Sequence, residues 1–332
     1  MFLPLFREHR EYFYDWCEIG SIYGALADCI WGGGRAGFGE NNPEEVLELM
    51  REYGISARLT FSNSLLRQEH LSDRKCNALC RLFERNREPR NGVIIYSELL
   101  LEYIKEQYPG LYFVSSTTKV LTDFTQLEEE IRRKDFHYVV PDFRLNKAFD
   151  KLNTLSQAEK DKVEFLCNEC CWFGCTERRR CYEAVSRKNL GEVCEHRCTA
   201  PGAQEGYRFS KAMENPGVHR HCGHPGALSA VGLFQFQAGR ARAGHGAGAG
   251  VSALLSDPAG VSDPRPGGDL SGQHAGPLFK GCTTGAVWYN QHNRALASGA
   301  LFRPIQVRRR SLWNSLSLLH SGIPAKILVQ AR

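Results

Sequence analysis

Short apolar runs alternate with amphipathic stretches through the first two thirds of the chain. Ile55 to Phe61 alternates apolar and polar positions and stops at Ser62-Asn63. A helical stretch from about Ser64 to Arg87 follows. Val93-Ile94-Ile95-Tyr96 reads as a compact strand, and a helix carrying Leu99, Leu100, Tyr103 and Ile104 comes after it. Leu111 to Val114, a charged helix from Asp123 to Arg133, and the run His137 to Val140 repeat the rhythm. A helical return around Ala158 to Val163 then leads into Glu164-Phe165-Leu166-Cys167. Near-continuous apolar strands alternating with helices predict a parallel sheet covered by helices, an α/β fold of the (β/α)-barrel, TIM-like kind.

Polar residues stand where each predicted strand stops: Asn63, Ser97, the run Ser115 to Thr118 with Thr117 inside it, Asp142 and Asn168. In a barrel these ends converge on one face, where such folds carry their sites. The competing explanation for each is that polar residues mark turns and helix caps. Trp31-Gly32-Gly33-Gly34-Arg35 is the clearest glycine cluster. Arg35 is a candidate for holding a carboxylate or phosphate, with a tight turn and a structural arginine as the alternative. The cluster is neither a Walker loop nor G-x-G-x-x-G. Ser115 to Lys119 offers hydroxyls and amides to an anion, or simple capping.

The rhythm fails after about residue 216. Residues 1–216 hold 34 acidic and 30 basic side chains, a net −4, whereas 217–332 hold 3 acidic and 12 basic, a net +9. The overall +5 therefore belongs to the tail and is no argument for nucleic-acid binding by the folded part. The tail also holds 18 of the 32 glycines and 7 of the 11 histidines, and Ala238 to Gly250 has neither a helical nor a strand period. The expectation is an incomplete barrel over 1–216 followed by a low-complexity, non-globular tail over 217–332. That tail reads either as a disordered basic tail or, the preferred alternative, as the product of a shifted reading frame. Reading the bases for Gly217 onward one nucleotide later permits a string with renewed β and helical periods, including the segment FKLEGR.

No run reaches the roughly 18 apolar residues of a membrane-spanning helix, and the apolar start Met1 to Phe6 gives way at once to Arg7, Glu8, His9 and Arg10. The sequence therefore predicts a cytoplasmic protein with no membrane partner, in which thiols stay reduced. Among its 13 cysteines, Cys167, Cys170, Cys171, Cys175, Cys181, Cys194 and Cys198 cluster. Two C-x3-C pairs, Cys171 with Cys175 and Cys194 with Cys198, supply the four thiolates that zinc or an iron–sulfur cluster takes. Ordinary thiols in a loop-rich insertion are the alternative. Arg178, Arg179 and Arg180 beside them suggest either an RNA patch or a solvated face.

The run Asn168-Glu169-Cys170-Cys171-Trp172-Phe173-Gly174-Cys175-Thr176-Glu177-Arg178 with Tyr182, together with Trp31 to Arg35 and the Ser115 to Lys119 run, resembles barrel proteins related to the collagenase-like peptidases, peptidase family U32. The shifted string FKLEGR is similar to that family's K-I-E-G-R stretch. The resemblance implies a (β/α)-barrel, a substrate bound at the strand-end face, and in part of the family a 4Fe–4S cluster, with zinc as the alternative metal. It implies proteolysis or oxygen-independent hydroxylation of RNA or quinone precursors. The substrate class, whether peptide, RNA or small molecule, stays open. So does a non-catalytic metal-binding or RNA-interacting role for the cysteine and arginine region. Of the cluster ligands, the resemblance carries over Cys171 and Cys175; Cys194 and Cys198 depart from its pattern.

Overall fold

The structure is a computed structural model. It describes Arg7 and residues 17–26, 28–34, 42–85, 88–166, 169, 171–201 and 203, with the strands at 235–238 and 326–331. Five parallel strands form its centre: β1 (Cys17–Gly24), β2 (Ser56–Phe61), β3 (Gly92–Ile95), β4 (Tyr112–Ser115) and β5 (Phe136–Val139). They lie in sequence order, so each pairs with its predecessor. The helices between them are α1 (Pro43–Tyr53), α2 (Arg74–Arg85), α3 (Glu98–Gln107) and α4 (Phe124–Arg132). Beyond β5 come the single-turn helices α5 (Phe149–Leu152) and α6 (Gln157–Lys160), the short strand β6 (Phe165–Leu166), and α7 (Arg178–Asn189).

Local chemistry sets these boundaries. Asn42 accepts a hydrogen bond from the Glu44 amide with Pro43 at the first helical position, and Gly54 ends α1 at φ 67°, a left-handed conformation that glycine adopts without a Cβ penalty. Ser97 and Asp123 cap α3 and α4 in the same way, accepting from the Leu100 and Gln126 amides.

A curled sheet has two faces, and successive strand residues divide between them. Ile22, Ala57, Leu59, Phe61, Val93, Ile95, Phe113, Phe136, Val139 and Phe165 face outward, into one core with Val46, Leu79, Phe83, Leu101, Ile104, Leu127 and Ile131 of the helices. Tyr23, Ile94, Val114, Val140 and Leu166 face inward, packing with Phe143, Tyr112, Tyr138, Cys171 and Phe173. The predicted α/β architecture of parallel strands and covering helices is present here, as a curled sheet consistent with an incomplete barrel.

Two further strands enter through backbone pairing. β7 (Gln235–Ala238) runs parallel to β6, and β8 (Lys326–Ala331) runs antiparallel to both β1 and β7. A bridge between Val139 and Val163 joins the two ends of this strand order. The antiparallel β8 departs from an all-parallel barrel, a direction that apolar periodicity does not encode. Apart from these two strands, the expectations for 217–332 lie outside the described residues.

The interior holds a charge pair. Arg58 of β2 donates from Nη1 to both oxygens of Glu164, at 2.7 and 3.0 Å, and from Nε to the Tyr112 hydroxyl at 2.6 Å. Its guanidinium also lies over the rings of Tyr138 and Tyr112, 4.7 and 5.3 Å from their centroids. Both members of the pair are buried, at 1% and 0% exposure. Burial works against the charge on Arg58, but Glu164 and Tyr112 outweigh it and move its pKa upward. Burial raises the Glu164 carboxyl, against the downward pull of Arg58. The direction that holds for the pair is a charged Arg58, because a guanidinium does not give up its proton in a protein.

Removing one partner leaves the other charge buried and unpaired, so Glu164→Gln or Arg58→Met should each destabilise the fold by roughly 3–5 kcal/mol. The double change Arg58→Met with Glu164→Leu should cost much less than the sum of the two. Urea unfolding of the three variants measures this, and single variants within about 1 kcal/mol of the parent would contradict it.

Candidate functional site

Asn63, Ser97, Thr117 and Asp142 follow the carboxyl ends of β2, β3, β4 and β5. Because those strands are mutually parallel, all four residues stand at one end of the sheet. Arg35 and Asn168 lie outside the described residues. Three of the four meet on one element, α7, which crosses that end of the sheet.

Asn63 is completely buried and fully engaged. Its Nδ2 donates to the carbonyls of Ile30 and Ser186, at 2.7 and 3.2 Å, and its Oδ1 accepts from the Leu65 amide. Ser186 Oγ accepts from the Ser64 amide, and Asn189 Nδ2 donates to the Gly32 carbonyl at 2.5 Å. The carboxyl end of α7 is thereby pinned to the end of β2 and to the glycine cluster. Gly33 is a true close approach: a Cβ there would sit 2.2 Å from the Ser62 carbonyl oxygen. The Asn63 amide also donates to the Trp31 carbonyl. Residues 31–34 therefore form a packed junction against the end of β2.

The amino end of α7 is pinned by charge. Arg178 is 1% exposed, its Nε 3.2 Å from Asp142 Oδ2 and its Nη2 2.7 Å from Glu169 Oε2. Nη2 also reaches Thr117 Oγ1 at 3.4 Å, and Thr117 Oγ1 donates to the Pro141 carbonyl. The guanidinium lies over the rings of Phe143 and Tyr182, at 4.8 and 5.3 Å. Asp142 is shared with Arg144, which donates to it from Nε at 2.6 Å and Nη2 at 3.0 Å. Burial opposes the Arg178 charge, but Glu169, Tyr182, Cys171 and Asp142 more than offset it and shift its pKa upward. Of the arginine triplet, Arg179 and Arg180 are exposed while Arg178 is buried, so these neighbours do not act as one patch.

Several buried polar atoms on this inner face have no hydrogen-bond partner: Arg178 Nη1 and Nε (the latter only in ion-pair range of Asp142), Thr60 Oγ1, Ser62 Oγ and Ser21 Oγ. Thr60 stands level with the inward-facing Ile94 in the strand register, and Ser21 level with Ser56, whose hydroxyl meets the inward-facing Tyr112. Leaving such a group unmet costs on the order of 1–3 kcal/mol, so each calls for water or a ligand. Nothing in the sequence marks Thr60 or Ser62 apart from other strand residues. Arg178 is visible in the sequence, but only as one member of a basic run.

The other predicted residues have different work. Ser97 caps α3. Within the 115–119 run, Ser116 Oγ accepts from the Thr118 amide and hydroxyl, Ser115 Oγ donates to Glu130, and Lys119 Nζ binds Glu130 at 2.6 Å and Glu98 at 3.1 Å. Those hydroxyls and that ammonium serve capping and ion pairing. Cys175 is buried and Cys198 exposed, with Cys171 and Cys194 between. Cys181 Sγ lies 2.9 Å from His196 Nε2. Among the described residues, no three Cys, His, Asp or Glu side chains are placed to hold a metal ion. None of Cys171, Cys175, Cys194 and Cys198 belongs to such a group among the described residues, and Cys167 and Cys170 lie outside them.

No protein-family model matches the sequence, and no curated protein matches it. Among solved structures, the chain is similar to that of a U32 peptidase, at 13% identity and a TM-score of 0.40, over 56% of this chain and 75% of that one. None of the described helices is long and apolar enough to cross a membrane.

Glu98 and Arg133 close the ion network beside the 115–119 run, at 2.7 Å. Arg133, and after it Lys119, hold the Glu98 carboxyl at about 2 against an ordinary 4.5, despite partial burial that acts the other way. A carboxyl lowered by folding contributes its stability in full above about 4.5, and loses it as the pH falls toward 2. Glu98→Gln should therefore flatten the acid limb of the stability curve in that window. At neutral pH it should cost less than about 1 kcal/mol, because the pair is largely solvated. Urea midpoints taken from pH 7 down to 2 test this; an unchanged acid limb would refute it.

Proposed function

We propose that the inner face beneath α7 is a substrate-binding site, and that its substrate is a peptide segment held through a carbonyl or carboxylate oxygen. The observation that carries this is the buried Arg178 guanidinium, whose Nη1 has no partner although Nε and Nη2 face Asp142 and Glu169. A guanidinium presents its donors in a fixed plane, so the Nη2 bond to Glu169 and the ion pair with Asp142 hold Nη1 in position for an acceptor oxygen. The unmet hydroxyls of Thr60 and Ser62 add donors or acceptors of the kind that a peptide backbone pairs with. Phe143 and Tyr182 flank the guanidinium and exclude water from it, which strengthens a charge-assisted hydrogen bond.

Peptide is preferred over RNA because the described mouth residues are balanced in charge. Arg178 and Arg144 stand against Asp142 and Glu169, without the excess of cations that a phosphate backbone draws on. The resemblance to collagenase-like peptidases in the sequence agrees with this choice, and cleavage of the bound peptide is the activity it suggests. A metal at Cys171, Cys175, Cys194 and Cys198 takes no part in the reading.

The test is calorimetric titration with a short gelatin-derived peptide bearing a free carboxyl terminus, alongside a quenched fluorogenic gelatin assay. Arg178→Met should weaken peptide binding about tenfold or more, the worth of one charge-assisted hydrogen bond. Far-ultraviolet dichroism confirms that the variant is folded. Equal affinity in a folded Arg178→Met protein would overturn the binding site. Binding without cleavage by the parent would overturn the peptidase activity alone.

A further inference from the structure

Cys29 and Cys76 are 47 residues apart in sequence, yet their sulfurs lie 3.2 Å from one another in the interior. Cys29 is 2% exposed and Cys76 is fully buried. That separation is shorter than a van der Waals contact between sulfurs and longer than the roughly 2.05 Å of a disulfide bond. We propose that Cys29 and Cys76 form a peroxide-oxidisable dithiol, with Cys29 as the attacking sulfur and Cys76 as the resolving one.

The surroundings of the two thiols assign these roles. Cys29 lies at a turn beside the Trp31 and Gly32 amides, and the contact with the Cys76 sulfur leads in lowering its pKa, with burial opposing. Cys76 is moved the other way, first by that same contact and then by burial. A thiolate is the nucleophile in sulfur oxidation, so Cys29, in the turn and the more easily ionised of the touching pair, attacks first. Cys80, one turn further along α2, is raised by burial and stays a thiol.

Burial also selects the oxidant. Attack on glutathione disulfide would leave a tripeptide on Cys29, which an interior position does not accommodate. Hydrogen peroxide is little larger than water. In the first step the Cys29 thiolate attacks one peroxide oxygen, the O–O bond breaks, and a proton is taken up as water leaves, giving a sulfenic acid. In the second, the Cys76 sulfur attacks the Cys29 sulfur, the S–O bond breaks, and the Cys76 proton departs with the hydroxyl as a second water. Two thiols are oxidised by two electrons and one peroxide is reduced to two waters. The new bond ties the turn before Gly32 to the first turns of α2.

The test treats the reduced full-length protein with equimolar hydrogen peroxide, blocks remaining thiols with iodoacetamide, and maps peptides by mass spectrometry. The expected product is a cross-linked pair of peptides containing Cys29 and Cys76, about 2 Da lighter than the sum of their reduced masses, while Cys80 is alkylated after denaturation. Cys76→Ser should stall at the sulfenic acid, giving a dimedone adduct on Cys29 when the oxidised protein is denatured in the presence of dimedone. Cys29→Ser should give no adduct on Cys76. Recovery of Cys29 and Cys76 as separate alkylated peptides, while the exposed Cys198 is oxidised, would overturn the proposal in the parent protein, whatever the variants do. An adduct on Cys76 rather than Cys29 would overturn the assignment of roles.

Discussion

A guanidinium placed inside a curled sheet has one physical requirement, a carboxylate within reach, and in this chain that carboxylate arrives 106 residues later. Arg58 comes from β2 and Glu164 from the approach to β6, and neither is exposed to water in the folded state. Until the chain has reached Glu164, Arg58 has no place in the interior, because a lone buried charge costs several kcal/mol. The pair therefore makes the closing segment part of the same cooperative unit as β2 to β5. Tyr112 and Tyr138 complete the setting from β4 and β5, one through its hydroxyl and both through their rings. Arg178 repeats the arrangement at the carboxyl end of the sheet, with Asp142 and Glu169 as counterions. The two arginines differ in one respect that bears on function: Arg178 keeps an unpaired, buried Nη1. Stability accounts for Arg58, whereas the spare donor of Arg178 is the observation on which the proposed peptide site rests.

Periodicity made β2 to β5 and α2 to α4 legible, since each apolar run is bounded by turn or capping residues and each helix shows a clear buried stripe. β1 escaped because its sequence, CEIGSIYG, mixes glycine and serine into what a strand pattern would have apolar. α7 escaped for a related reason. The side it buries consists of Arg178, Tyr182, Ala184 and Ser186, so its packing uses polar groups that a hydrophobic pattern ignores. Strand-end polarity did point to Asn63, Thr117 and Asp142, all of which meet α7. It pointed equally to Ser97, which only caps a helix, and no sequence signal separates the two cases because capping and ligand binding use the same short polar side chains. The pairs Arg58 with Glu164 and Cys29 with Cys76 were out of reach for a simpler reason: chain folding, not local pattern, brings them together.

The glycine cluster links the two sites. Gly33 lets residues 31–34 lie against the end of β2 at a distance that no other residue permits, and the Trp31 carbonyl accepts from the Asn63 amide. Asn189, the last residue of α7, holds the Gly32 carbonyl, and Cys29 is the carbonyl partner of the Gly32 amide on the other side. A displacement of the Cys29 turn toward α2 therefore acts directly on the carboxyl end of α7. That helix is a single rigid rod of 12 residues, and its opposite end carries Arg178. Closing the sulfurs from 3.2 Å to bonding distance is a movement of about 1 Å. Hydrogen bonds weaken over displacements of that size, so the bonds from Asn63 and Asn189 must shift with the turn or break. The Cys29 turn and the helix that carries Arg178 are thus in contact through two asparagines, Asn63 and Asn189.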